Sequence, residues 1–600
     1  MKKRILWLGL SLMMVVALVI TSCGPPVATT PTTPTTPTTP TTPTTPTTPT
    51  TPTTPTTPAA PAVDEVQYGG RLTVAQRAKA RRIEPKSFDM SLANWNQHGW
   101  NTPFMPHLLI GDIDTYGPRG NNTNPFNFSG DVPEVFSKGD LAESWEVVPF
   151  QMTFKIRPGL MWAGNDKIGM APREITAYDV EHQFINFSRS DAAASYQRPY
   201  VTAVHAEDKY TLVIDSPGND FGWYFWVGNG CGAGVQPPEV WEAGIDRWDT
   251  QVSGGPFIIK EYVTGSFVSY ERNPLYWGTT TIEGKEYDLP FVDELVYPVI
   301  TDETTALAAL RAGKLDVNVE LSITQKGPLA NTTPELLIHQ YVPGSYIKMN
   351  IKSDEGKYED KNLRRAMWMA TDFAAIGDAL YGKGNWELQN WAGGEGAPTA
   401  PQPKDMPPET AMLFEYNPEL AKQMIVEAGY PDGFDTQVVS TSSSTLVDAA
   451  SLIKDMWGKV GVNLEIKVIE TTAHKAMRYS REFSDIYMMD GAGSIRGLSG
   501  EFIEGHRGNP SAAYQPELWA GYAEAAQIID PVERNAALNG LITRFIDDAS
   551  TMRLPAPNFL SVWWPWVKNY YGETDAGFQD IAPMISRMWI DQKLKKEMGY

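Results

Sequence analysis

The chain has 600 residues, with 50 Lys and Arg against 71 Asp and Glu, giving a formal net charge of −21 at pH 7. So acidic a balance argues against nucleic acid or an anionic membrane surface as a partner, because both demand positive potential. The length exceeds what one hydrophobic core organises, so two or more compact lobes are expected.

The N-terminus reads as an export segment spanning residues 1–22. Lys2, Lys3 and Arg4 precede an apolar run from Ile5 to Ile20, broken only by Gly9 and Ser11 and short for a span of about 20 residues. It ends in Ile20-Thr21-Ser22-Cys23, which resembles a bacterial lipobox. That resemblance implies cleavage before Cys23 and acylation of Cys23. Two or more acyl chains make a durable membrane anchor where one holds only marginally. Residues 23–62 form a stalk, with Thr-Thr-Pro ten times over from Thr29 to Pro58. Proline at every third position favours polyproline II, which at about 3.1 Å per residue extends this tract to roughly 90 Å. Its threonines suit O-glycosylation. The remaining cysteine, Cys231, has no disulfide partner and no metal-ligand spacing, and reads as structural.

Beyond the stalk no internal repeat is visible, and short strand-like runs alternate with amphipathic helices, which indicates an α/β class. Helices are expected over 177–187, 304–312, 418–428 and 445–460, and strands over 210–214, 295–300 and 463–469. Asp302 and Glu303 open the second helix and Gly313 closes it; Asn417-Pro418 opens the third and Gly429 closes it. Residues 117–139 and 393–408, rich in Gly and Pro, read as loops, one in each half, framing a cleft.

Catalytic signatures are missing: there is no G-x-S-x-G elbow, Walker A loop, H-E-x-x-H or C-x-x-C. The seven histidines are scattered, and the nearest pair, His98 and His107, reads as core or solvated side chains before it reads as metal ligands. The expectation is a binding protein without cofactor or metal, not an enzyme, with a surface glycan hydrolase as the rival class. Most of the 19 tryptophans should pack in cores. Candidates for a ligand wall are Trp95 and Trp100, set among Asn94, Asn96, Gln97 and His98, and Trp391 beside Asn390.

An ordered series of segments then carries a resemblance. Tyr68-Gly69-Gly70-Arg71-Leu72, Leu141-Ala142-Glu143-Ser144-Trp145 and Phe154-Lys155-Ile156-Arg157-Pro158-Gly159 are followed by Thr176-Ala177-Tyr178-Asp179-Val180. Next come Gly254-Gly255-Pro256-Phe257, Glu271-Arg272-Asn273-Pro274, Ala312-Gly313-Lys314-Leu315-Asp316, Leu363-Arg364-Arg365-Ala366 and Ala428-Gly429-Tyr430-Pro431-Asp432-Gly433. In this order they resemble the family 5 extracellular solute-binding proteins, the oligopeptide, dipeptide and nickel receptor group of bacterial ABC importers.

The resemblance implies a periplasmic-binding-protein-like α/β fold of type II, cluster C-like, with two lobes, a hinge and an inserted domain. Lobe I would take 63–100, 200–318 and 556–600, the inserted domain 101–199, and lobe II 319–555. The chain would cross between lobes near 316–321 and 555–561. Ligand, a peptide or an oligosaccharide, would sit between the lobes, and the closed receptor would deliver it to a permease with a separate ATPase. A sensory receptor of the same fold is the alternative. One departure concerns the ligand: Gly491 and Ser494 stand where the family often has an aromatic and an acidic residue. In peptide receptors that acid pairs with the ligand's amino terminus, so a neutral oligosaccharide stands beside a peptide as the expected ligand. Asp490 is the next acid in line.

Overall fold

The computed structural model describes residues 65–75, 84–85, 87–91, 98–127, 132–190, 193, 197, 200–218, 222–230, 232–388, 398–492, 509–511 and 515–600. The export segment, Cys23, the stalk and Cys231 lie outside the described residues. Glu65–Tyr600 forms one compact unit, built on two large sheets and one smaller one.

The first sheet has seven strands in the order Phe257–Val263, Phe267–Arg272, Glu294–Pro298, Arg71–Ala75, Val317–Ser322, Phe559–Trp563 and Leu337–Tyr341. Arg71–Ala75 lies parallel to both neighbours, and its Leu72 and Val74 are fully buried. Parallel neighbours need a crossover, usually a helix. Glu303–Arg311 supplies it, with Asp302 accepting a hydrogen bond from the Thr305 backbone at 2.8 Å and Leu307 and Leu310 facing the core. The 304–312 expectation thus lands within one residue at each end.

The second sheet runs Val462–Val468, Phe434–Ser440, Ile486–Ala492, Ser345–Ile351 and Thr551–Leu554. Helices Lys361–Met369, Pro418–Glu427 and Ser444–Gly458 bury an apolar face in this lobe, where Leu363, Ile425, Ile453 and Trp457 are at most 1% exposed. Asn417 caps the second of these, its side chain accepting from the Leu420 backbone at 3.0 Å.

Two expected boundaries are corrected. Lobe II was expected from residue 319, but Leu337–Tyr341 pairs antiparallel with Phe559–Trp563 inside the first sheet. The first crossing therefore runs from Tyr341 to Ser345 and not through 316–321. The physical reason is that Val317–Ser322 is held on both sides within the first sheet, by Arg71–Ala75 and by Phe559–Trp563. The inserted domain was expected to end at 199, yet its four-stranded antiparallel sheet is Ala142–Val148, Gln151–Ile156, Thr211–Asp215 and Ala203–Asp208. Thr211–Asp215 pairs with both Gln151–Ile156 and Ala203–Asp208, so the insertion must run past 215. One apolar cluster covers this sheet and the second lobe together.

Two buried polar features carry consequences for stability. The Arg364 guanidinium, 4% exposed, donates to the Asp548 carboxylate at 2.6 Å, the Asp548 carbonyl at 2.9 Å and the Tyr358 carbonyl at 2.8 Å. It ties its helix to the end of Pro531–Asp548. In the first lobe, Thr102, His107, Asp140, Tyr276 and Asp580 line a chamber of about 20 Å³. Burial pushes the Asp580 carboxyl up to about 8, with the charges of Asp140 and Asp575 adding to the effect. Burial likewise raises Asp140 to about 6 and lowers His107 to about 4.

Replacing Arg364 by Met should cost roughly 3–5 kcal/mol in chemical unfolding, because it strands a buried carboxylate. Lys361→Met, at an exposed partner of Asp547, should cost under about 1 kcal/mol. A second expectation concerns pH. Asp580 holds its proton in the folded state to about pH 8, whereas the unfolded group ionises near the ordinary value of about 4. Stability from this group is fully present below that ordinary value and is lost as pH rises toward 8. Asp580→Asn removes the loss, so its gain over wild type should grow with pH from roughly 1 kcal/mol at pH 5 to several kcal/mol near pH 8, at about 1.4 kcal/mol per pH unit. Melting curves of both proteins across that range measure it.

Candidate ligand-binding cleft

The two sheets are joined where the chain crosses from Tyr341 to Ser345 and returns from Leu554 to Phe559. A short ladder braces the crossings: Trp386–Glu387 pairs with Ala556–Pro557, and the Asn558 backbone donates to the Asn385 carbonyl at 2.9 Å. The Gln340 side-chain amide donates to the Gly384 carbonyl at 2.9 Å. Residues at the start of Ser345–Ile351 and at the end of Ile486–Ala492 thus lie beside the hinge, on the part of lobe II that borders the cleft.

Register places the candidates there. Gly491 stands opposite Tyr346, and Asp490 opposite Ile347. A Cβ at Gly491 would lie 2.5 Å from the Tyr346 ring, so no larger residue fits while that ring holds its place. The Arg553 guanidinium lies 4.9 Å from the Tyr346 ring centroid, a cation–π distance. Sequence reasoning missed Tyr346, Arg553 and Tyr381, because strand register and cross-strand stacking leave no local signal.

Asp490 remains open to solvent at its strand end, and makes no ion pair or hydrogen bond among the described residues. Desolvation by the surrounding protein raises its carboxyl above the ordinary range, with His474 opposing the effect. Tyr381 lies close enough to sense that charge. Its phenol is pushed up to about 12, first by burial and then by Asp490. The Tyr381 hydroxyl is buried without a hydrogen-bond partner among the described residues. His474 stacks on Tyr487 with centroids 4.2 Å apart and contacts the Tyr487 hydroxyl and the Met488 carbonyl at 2.8 and 3.0 Å. This fixes the ring behind Asp490, and burial holds its pKa below the usual value.

The other candidates divide sharply. Trp100 is 1% exposed, packs edge-on against Tyr297 at 5.8 Å and accepts from the Tyr270 hydroxyl through its carbonyl at 2.7 Å. It is a lobe I core residue and offers no ring face to a ligand. His98, also 1% exposed, is wedged between His107 and Phe578, each 5.4 Å away. It too belongs to the packing here. Trp95, Gln97, Trp391 and Ser494, with Asn94, Asn96 and Asn390, lie outside the described residues. Among the described residues no group of three or more His, Cys, Asp or Glu side chains is arranged to hold a metal ion, and no helix is long and apolar enough to cross a membrane.

Comparison with known proteins agrees with this architecture. Heme-binding protein A of Haemophilus influenzae is 29% identical over 225 residues, 35% of this chain and 36% of that protein. Oligopeptide-binding protein AppA of Bacillus subtilis is 26% identical over 237 residues, 37% of this chain and 40% of that protein. The matched stretches therefore span less than half of these relatives. The structure of HbpA2 from Haemophilus parasuis superposes with a TM-score of 0.70 at 19% identity, over 87% of this chain and 100% of that one, a likeness of fold. The sequence profile of the bacterial extracellular solute-binding proteins, family 5 (middle), matches residues 137–497. On that match, which covers more than half of its length, the chain belongs to the family 5 bacterial extracellular solute-binding proteins.

Proposed function

We propose that this chain is the solute receptor of an ABC importer, closing two lobes around a peptide that carries a free amine and presenting it to a permease driven by a separate ATPase. The observation that carries the ligand class is Asp490, an accessible carboxylate beside the hinge with no partner among the described residues. A buried ammonium needs an acid, because leaving it unpaired in a closed cleft costs several kcal/mol. The unpartnered Tyr381 hydroxyl nearby adds an acceptor for the same group. A relative named for oligopeptide binding supports this class. The oligosaccharide reading loses one of its stacking rings with Trp100 in the core. Two crossings leave the hinge little freedom to swivel, which favours opening and closing, and ligand contacts to both lobes would favour the closed state. The N-terminal residues support a receptor tethered outside the cytoplasm by lipid on Cys23, with the Thr-Thr-Pro tract as a stalk.

Calorimetry with a pool of free-amino peptides and with β-linked oligosaccharides tests the ligand class. Peptides should bind, N-acetylation should weaken them at least tenfold, and Asp490→Asn should weaken free peptides by a similar factor without lowering the melting temperature. Acetylation should then cost the variant nothing further. Saccharide binding that Asp490→Asn leaves unchanged would overturn the peptide reading. For the anchor, Cys23→Ser should abolish signal processing and membrane retention, seen by fractionation and by mass spectrometry of the mature N-terminus. Unchanged processing would show that Cys23 is not the lipidated residue.

A further inference from the structure

A second concavity lies on lobe I, at the edge of its sheet opposite the crossings. Tyr262 belongs to Phe257–Val263, one edge strand of the seven-stranded sheet, whereas Leu337–Tyr341, from which the chain enters lobe II, is the other edge. Six strand spacings of about 4.8 Å put roughly 29 Å between those two edges. Beside Tyr262 a pocket of about 330 Å³ is lined by the rings of Phe88, Trp248 and Tyr262 and by Asp246, Arg247 and Asp249. That volume falls within the range of small-molecule sites, about 300–1,000 Å³.

Its walls are fixed by contacts of their own. Phe88, 2% exposed, meets Tyr262 edge-on with centroids 5.7 Å apart, and its backbone donates to the Asp246 carbonyl at 3.1 Å. The Tyr262 hydroxyl donates to the Glu84 carboxylate at 2.7 Å. The Lys167 ammonium lies 4.4 Å from the Trp248 ring centroid. Residues 244–251 are tied down by side chains: the Thr250 hydroxyl donates to the Gly244 carbonyl at 2.6 Å, the Gln251 amide to the Ile245 carbonyl at 2.8 Å, and the Asn165 amide to the Asp249 carbonyl at 3.0 Å. Arg247 grips the Asp249 carboxylate with two nitrogens at 3.0 and 2.8 Å. Asp246 is exposed, and no hydrogen bond among the described residues engages its carboxylate. A pocket so braced loses little freedom when a ligand enters.

We propose that this pocket binds a sugar ring, as a second site on lobe I separate from the solute cleft. Three aromatic rings offer apolar faces to the C–H side of a pyranose, whose weakly positive hydrogens meet the negative ring faces. At the rim Asp246 accepts and Arg247 donates, which matches neighbouring hydroxyls, each both donor and acceptor. Charge argues for a neutral ligand. An ammonium would meet Lys167 and Arg247, and a carboxylate or phosphate would meet Asp246 and Asp249; a polyol meets neither penalty. A small neutral ligand of this kind should bind with Kd on the order of 1 mM. The site lies on one lobe alone, so its occupancy makes no contact that distinguishes open from closed and leaves closure to the solute. It would hold the receptor to glycan in its surroundings while the cleft works.

Saturation-transfer NMR on the full chain in detergent micelles tests it, with methyl β-glucoside and the methyl glycoside of β-N-acetylglucosamine at a few millimolar as probes. Ring C–H signals of at least one glycoside should appear with wild type and fall at least fivefold in Asp246→Ala and in Arg247→Ala. Both positions are exposed, so melting curves should not change. Asp490→Asn, and an excess of the free-amino peptide pool, should leave the signals as they are. No signal with wild type, or equal signals in wild type and both rim variants, would overturn the sugar site and leave the peptide reading of the cleft untouched. Signals that Asp490→Asn abolishes or that peptides displace would place the sugar in the cleft, and would overturn this site and the peptide reading together.

Discussion

Everything in this molecule depends on one strand returning. Phe559–Trp563 follows the whole second lobe in sequence, yet inserts between Val317–Ser322 and Leu337–Tyr341 of the first sheet. A strand with a neighbour on each side has its backbone donors and acceptors satisfied along both edges, so it cannot leave without opening the sheet. The chain must therefore pass between the lobes twice, and two adjacent passages define a hinge axis. The cleft and the position of Asp490 beside that axis follow from this placement.

The return is secured by a buried acid. Asp316, 2% exposed, accepts from the Thr73 backbone at 2.8 Å, from the Trp566 indole at 2.8 Å and from the Lys595 ammonium at 2.8 Å. It thereby joins the first strand, the segment after the returning strand and the C-terminal helix Gln592–Glu597. Trp564 and Trp566 stack at 4.5 Å with rings 5° from parallel, and Tyr600 closes against both. This C-terminal aromatic group is packing, which is where large rings contribute most. Polar groups in the first lobe behave differently. The chamber around Asp140 and Asp580 buries carboxyls without cations directly bonded to them, and so their protons stay on at pH values where exposed acids have lost them.

A receptor must bind tightly and still release, and its ligand favours closure only by the contacts it makes better in the closed state than in the open one. Near the hinge, where lobe motion is small, Asp490, Tyr381 and Tyr346 present chemistry that a ligand can meet.

Much of the architecture was legible in sequence because it is locally encoded. The capping side chains of Asp302 and Asn417 bond to backbone amides three residues on, and apolar residues at three- and four-residue spacing made helices such as Ala177–Ser188 readable to within a residue or two. The ordered motifs around Gly254–Phe257 and Leu363–Ala366 identified the family for the same reason: each is a short segment whose chemistry is complete in itself. What the sequence could not decide is long-range pairing. That Leu337–Tyr341 joins the first sheet depends on a strand more than 200 residues later, and that Thr211–Asp215 extends the inserted sheet depends on Gln151–Ile156. Trp100 read as a candidate ring from its polar neighbours, but its surroundings are Tyr270 and Tyr297, brought there by another part of the chain. The need for glycine at 491 likewise comes from the Tyr346 ring across the ladder. Local hydrogen bonding and periodicity are written residue by residue, whereas register, burial and the meeting of Glu134 with Arg534 across 400 residues exist only once the lobes have folded against each other.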